Sequence, residues 1–172
     1  MDPRLHQLQG KTERLTPVVI AIGSNLGDRR GHLDWAARRL ATIVDRLRLS
    51  PVVETEPVDV PDVQPAFLNA VAVGECRLAA RALLEYLLLF EAERQRVRLG
   101  WHSPRTLDLD LILFGDSVID EPDFQVPHPR FRERAFVLEP LAAVAPEIRD
   151  PVTGLTAGEL LARLHSPPVP RV

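Results

Sequence analysis

The run Thr106-Leu107-Asp108-Leu109-Asp110-Leu111-Ile112-Leu113-Phe114 sets two carboxylates into an otherwise apolar segment of strand length. Side chains of a strand alternate between its faces. Asp108 and Asp110 therefore leave the same face, about 6.6 Å apart along a strand rising roughly 3.3 Å per residue. Two ionised aspartates so placed repel each other and lose hydration unless a cation, basic side chains or solvent compensates them. Mg²⁺ suits the pair, because it takes oxygen ligands, keeps part of its water and touches substrate phosphates. A thiolate zinc site is excluded by the single cysteine, Cys76. Two alternatives stay open from these residues alone: a solvated face paired with Arg105 or another basic side chain, and a catalytic dyad without metal.

The segments around this strand alternate in period. Val18 to Ile22 is a short branched run ended by Gly23, which predicts a buried strand feeding a Gly-rich turn. Ala37, Leu40, Val44 and Leu47 recur at helical spacing and predict a helix over 29–46. Leu49 to Val53 has strand composition, with Pro51 directing it to an edge or a bulge. After a proline-rich loop, Phe67/Val71/Val73 and Leu68/Ala70/Ala72 form the two faces of a further strand, interrupted by Asn69. A helix is predicted over 78–93, then the strand with the aspartates, a Gly115-Asp116 turn and a short Val118-Ile119 run. The resulting βαββαβ order predicts an α/β (α+β) sandwich of ferredoxin-like type, its helices packed on one face of a largely antiparallel sheet. Phe136-Val137-Leu138 is an apolar stretch in a proline-rich third, and a short helix is predicted over 157–164.

Residues 1–17 are polar and aperiodic and read as a leader, residues 18–172 as one catalytic domain, with 155–172 a C-terminal extension. The 172 residues, 45% hydrophobic and 26% charged, can bury a core, and wholesale disorder is disfavoured. No apolar stretch approaches the ~18 residues of a membrane helix. The unpaired cysteine fits a reducing, cytoplasmic compartment. A net charge of -3 and 5% aromatic residues give little support to a nucleic-acid surface. Neither nucleic acid nor membrane is expected as a partner, and a monomer is the expected state.

Arginines supply the local basic charge. Arg94, Arg96, Arg98 and Arg105 precede the acidic strand, and Arg130, Arg132 and Arg134 follow it, a set suited to phosphate oxygens. Gly23-Ser24-Asn25-Leu26-Gly27-Asp28 allows close backbone approach to a ligand or a tight turn braced by Asn25, and it lacks the lysine and hydroxyl of a P-loop. Asn69 offers an amide to a ligand edge or to a buried structural bond. His128, between two prolines, is a candidate phosphate contact or a local cap. Trp35 reads as a helix-packing residue. His6, His32 and His165 have no partner motif.

Four strings in this order resemble the 6-hydroxymethyl-7,8-dihydropterin pyrophosphokinase family: AIGSNLGD from Ala21, PAFLNAVAV from Pro65, PRTLDLDLILFG from Pro104 and VPHPRFRERAFVLEPL from Val126. The resemblance covers Val18 to Gly154. It implies transfer of pyrophosphate from ATP to the hydroxymethyl oxygen of a reduced pterin, giving AMP and the pterin diphosphate in folate biosynthesis. It also implies two Mg²⁺ ions held by Asp108 and Asp110, and catalytic roles for Arg96, Arg105, Asp108 and Asp110. Glu91, Arg96, Arg98, Arg105, His128 and Arg134 fall at ATP positions, and Glu56, Pro57, Asp59, Phe67, Asn69 and Phe136 at pterin positions. Two departures stand out. His102-Ser103 replaces the usual tryptophan and glycine before PRT, in a connection shorter by one residue, and Val52-Val53-Glu54 replaces a segment that usually holds a tyrosine. The alternatives are another ATP-dependent transferase on the same sandwich and a ligand-binding module without turnover.

Overall fold

A computed structural model describes residues 11–57, 64–94 and 106–166. Strands β1 (Lys11–Ser24), β2 (Val44–Leu49), β3 (Val53–Thr55), β4 (Phe67–Leu78) and β5 (Asp108–Phe114) form one antiparallel sheet in the order β2-β4-β1-β5. β3 continues the β2 edge along β4. Helices α1 (Arg29–Leu40) and α2 (Ala80–Glu93) supply the crossovers, so the βαββαβ reading holds for the core. β6 (Ile119–Glu121) and β7 (Phe124–Val126) make a separate hairpin, followed by α3 (Ala135–Val144) and α4 (Ala157–His165).

The sheet is covered on both faces. Val18, Ile20, Ile22, Ala70, Ala72, Leu109 and Leu111 pack with α1 and α2, while Val19, Val71, Val73, Ile112 and Leu113 pack with α3 and α4. The two sets expected for β4 therefore lie on opposite faces. In β5 the register shifts between Val19↔Leu113 and Ile20↔Leu111, so Ile112 is the extra residue of a bulge. The bulge explains why Ile112 and Leu113, adjacent in sequence, join one core cluster while Phe114 joins the other.

Several expected boundaries move. The strand expected to begin at Val18 begins at Lys11, inside the segment read as a leader, because β4 is long enough to pair with it: Lys11↔Leu78 and Thr16↔Cys76 flank a second irregularity. The first helix stops at Leu40 rather than continuing to residue 46. Val44 and Leu47 lie in β2, Thr42 Oγ1 donates to the Arg39 carbonyl at 2.7 Å, and Arg46 takes a positive φ of 52° that no helix accommodates. Helical spacing across residues 37–47 is equally served by a helix followed by a strand whose Val44 is buried.

Pro51 sits in the break between β2 and β3, as its missing donor requires, and Ser50 bridges the gap: its N–H donates to the Val71 carbonyl and its Oγ accepts from Val71 N–H, both at 2.9 Å. Of the Val118-Ile119 run only Ile119 enters a strand, opening β6, which pairs with Phe124–Val126 and not with the main sheet. The apolar stretch around Val137 is helical despite Pro140, which removes the N–H that would otherwise reach the Phe136 carbonyl.

Candidate functional site

One face of the sheet changes character along its length. Across β4, β1 and β5 the aligned rows are Val73–Val19–Leu113, then Val71–Ala21–Asp110, then Asn69–Gly23–Asp108. α3 and α4 cover the first row. By the third, the residues are polar or lack a side chain. Asp108 and Asp110 share this face, as period two requires, and both are half-buried.

Gly23 is the floor between the ends of the last row. A Cβ there would stand 3.3 Å from Asn69 Oδ1, 3.8 Å from Asp108 Cβ and 4.0 Å from the Phe67 ring. Asn69 is buried, and its Nδ2 donates to Thr55 Oγ1 at 2.8 Å, which fixes which edge of the amide faces the floor. Two strand spacings separate the Asn69 and Asp108 backbones, about 10 Å.

On the other side of Asp108 a cleft of ≈ 520 Å³ opens along the outer edge of β5, lined among others by Asp108, Asp110, His128, Arg134, Glu91 and Leu88. Asp110 Oδ2 lies 3.5 Å from Arg134 and 3.9 Å from His128 Nε2. His128 N–H donates to the Ile112 carbonyl at 2.9 Å, the acceptor that the bulge provides, and its Nδ1 accepts from Arg130 N–H at 3.2 Å. That bond places the proton of the neutral ring on Nε2, facing the cleft. Burial, followed by the charge of Arg134, pushes the imidazole down to about 4 against an opposing pull from Asp108. At neutral pH the His128–Asp110 approach is therefore not an ion pair. Glu91, buried on α2, accepts from Leu109 N–H at 2.8 Å and so closes the outer edge of β5 between the two aspartates. Arg134 also lies over Phe136, its Cζ 5.5 Å from the ring centroid.

The expected residues thus fall into two groups that meet at Asp108. Asp108, Asp110, Glu91, His128 and Arg134 line one cleft, while Phe67 and Asn69 stand beside it at Gly23, with exposed Glu56 and half-buried Pro57 following β3. Arg96, Arg98, Arg105, Asp59 and His102 lie outside the described residues.

Two arginines of the basic set are committed elsewhere. Arg94 donates to His32 Nδ1 at 3.0 Å and lies over Trp35, which gives His32 a partner and makes Trp35 the helix-packing residue anticipated. Arg132 is bound to Asp150. The Gly-rich turn is braced: Asn25 Nδ2 donates to Gln64 Oε1 at 3.1 Å and to the Pro65 carbonyl at 3.3 Å, Arg29 donates to the Ala66 carbonyl at 2.6 Å, and Asp28 caps α1. Asn25 therefore has the structural role. Thr55, the Ile112 bulge and Asp150 carried no signal of their own in the sequence.

The family model for 7,8-dihydro-6-hydroxymethylpterin-pyrophosphokinase (HPPK) matches residues 19–146, which hold both groups and the sheet between them. The chain belongs to the HPPK family. A 2-amino-4-hydroxy-6-hydroxymethyldihydropteridine pyrophosphokinase of Pseudomonas aeruginosa is 42% identical over 148 residues, covering 84% of this chain and 90% of that protein. One from Bacillus subtilis is 39% identical, covering 78% and 81%. In fold, the chain resembles the Plasmodium falciparum HPPK-DHPS wild-type crystal structure, with a TM-score of 0.67 and 14% identity over 87% of this chain; it spans 45% of that longer chain. As an HPPK family member it is an ATP-dependent pyrophosphokinase acting on a pterin. No helix among the described residues is long and apolar enough to cross a membrane.

Proposed function

We propose that the Asn69–Gly23–Asp108 row is where the two substrates meet, the pterin over Phe67 and Asn69 and the ATP phosphates over Asp108 and Asp110. The observation that carries this is Gly23. A bare backbone between an oriented amide and a carboxylate leaves room for a flat ring on one side and a triphosphate on the other.

The donor set fits Mg²⁺. Among the described residues no group of three or more His, Cys, Asp or Glu could cage a metal. Two half-exposed carboxylates on one strand face suit an ion that completes its shell with water and phosphate oxygens. Asp108 and Asp110 would hold the two ions, and the chemistry these would supply is neutralisation of phosphate charge.

The chain's own groups do the rest. Arg134, 3.5 Å from Asp110, presents a guanidinium to phosphate oxygens as charge shifts during attack on the β phosphorus. His128, neutral, donates from Nε2 into the same cleft. Asn69 reads the donor and acceptor edge of the pterin, with Phe67 and Phe136 offering ring faces and Glu56 and Pro57 the outer wall. Glu91 holds β5 in place from behind. Arg96, Arg98, Arg105 and Asp59 join this assignment through the family resemblance. The same proposal includes a monomer working in the cytoplasm.

Incubation with ATP, Mg²⁺ and the hydroxymethyl dihydropterin, with mass identification of both products, tests the phosphorus attacked. AMP with pterin diphosphate is expected; ADP with a pterin monophosphate would reject it. Asn69→Ala should weaken pterin binding at least tenfold more than ATP binding, on the scale of a lost edge contact. Equal losses in separate titrations would remove Asn69 from the pterin role.

A further inference from the structure

Arg134 leaves a 3₁₀ turn, Phe131–Glu133, that is not part of the sheet, yet its guanidinium is aimed at Asp110. Phe131 is fully buried among Val137, Leu138 and Leu141 and fixes one side of the turn. The other side is fixed by Arg132. Its Nε and Nη2 donate to the two carboxylate oxygens of Asp150 at 2.7 Å each, a fork-to-fork pair that sets both position and plane.

Asp150 is itself built in. Its side chain has no exposed surface and also accepts from Thr153 Oγ1 at 2.6 Å and Val152 N–H at 3.2 Å. Its backbone N–H donates to the Leu155 carbonyl at 2.9 Å, and Gly154 N–H donates to its carbonyl at 2.8 Å. The loop closes on α4, where Ala157 N–H reaches the Ile148 carbonyl and Thr156 and Glu159 form a reciprocal N-terminal cap. A buried ion pair is weak evidence for stability, since apolar residues of similar volume often serve as well. A rigid loop holding a carboxylate for one guanidinium is better explained by the geometry it imposes.

We infer that Asp150 is a positioning residue: through Arg132 it fixes the turn that carries Arg134, and so sets where the Arg134 guanidinium stands relative to Asp110 and the ATP phosphates. Asp150 lies beyond residues 19–146, so the family match assigns it nothing, and it brings the loop before α4 into the catalytic apparatus. The inference rests on the reading of Arg134 as a phosphate contact.

A double-mutant cycle on the full chain tests it, using Asp150→Asn, Arg134→Ala and both together, with kcat and KM measured separately for Mg-ATP and for the pterin. Asp150→Asn should lower kcat/KM for ATP about tenfold, the scale of a sub-ångström misplacement, and leave the pterin KM unchanged. In the Arg134→Ala background the same change should cost less than twofold, because the residue it positions is gone.

The pair Arg132→Leu/Asp150→Leu separates positioning from folding. It should melt near the wild-type temperature and still show the ATP defect, and it supplies the reading should Asp150→Asn fail to fold. Wild-type ATP kinetics in a folded variant, or losses that multiply fully in the cycle, would overturn the inference. If Arg134→Ala alone keeps full activity, the phosphate reading of Arg134 fails, and this inference fails with it. An impaired Arg134→Ala with fully multiplying losses leaves that reading standing and rejects only the role of Asp150.

Discussion

The two faces of the sheet are built from the same strands and do different work. Under α1 and α2 every inward position is apolar and covered, from Val18 to Ile22 on β1 and from Leu109 to Phe114 on β5. Under α3 and α4 the cover still takes in Val71 and Ala21 in the second row but not Asp110 beside them, and the row beyond it holds Asn69, Gly23 and Asp108. Chemistry sits where a helix ends before the strand does. Most of one face can be given to stability because the other has an open end.

That contrast can be broken from its stable side first. Phe90 is 1% exposed, with the Trp35 ring edge-on at 6.2 Å, Tyr86 at 6.1 Å and the Arg39 guanidinium at 4.6 Å from its centroid. Phe90→Ala should cost about 3–5 kcal/mol in denaturant unfolding, while the fraction that remains folded keeps its KM for both substrates. A substantial shift in either KM would show that the covered face also tunes the site.

The second largest effect belongs to the open side. Asp110→Ala should lower turnover about 10²–10³-fold, the range of losing one electrostatic stabiliser, with circular dichroism unchanged and the melting temperature held or raised as carboxylate repulsion is relieved. Near-normal turnover with unaltered magnesium dependence would remove Asp110 from the metal role. Smaller again is Gly23→Ala, whose new methyl must push Asn69 Oδ1 from 3.3 Å. It should weaken pterin binding about tenfold, the scale of one misplaced polar contact, and ATP binding much less. Isothermal titration of each substrate alone would separate them, and an ATP-dominated loss would move the pterin elsewhere.

How far the sequence reaches follows the same division. Alternation alone places Asp108 with Asp110, and Phe67 with Val71 and Val73, because a side-chain period of two holds along any stretch of strand that carries no bulge. Helical spacing misplaces Val44 and Leu47, since a turn at Ala41–Ile43 followed by a strand also returns apolar residues to the core. The bulge at Ile112 is invisible in LDLDLILF, yet it supplies the carbonyl that seats His128. Arg132 and Arg134 look alike two residues apart; only Asp150, distant in the chain, determines that one is structural and the other faces the cleft. Long-range partners of this kind have no local signature.

The smallest effect concerns how the α3–α4 side is fastened. Burial alone would raise the Asp150 carboxyl, but the bonds from Arg132, Thr153 and Val152 N–H outweigh it and hold the group below its ordinary value of 3.8. A carboxyl depressed in the folded state contributes stability that is fully present above its unfolded value and is lost as pH falls through the folded one. The melting-temperature gap between the native chain and Asp150→Asn should therefore stay constant from about pH 8 to 5 and close progressively below about pH 4. Amide exchange localises the effect: protection in α3 and α4 should fall at acid pH before protection in α1 and α2, because Asp150 fastens only the former. Simultaneous loss on both faces would mean that they open as one unit and that the division between them is chemical rather than mechanical.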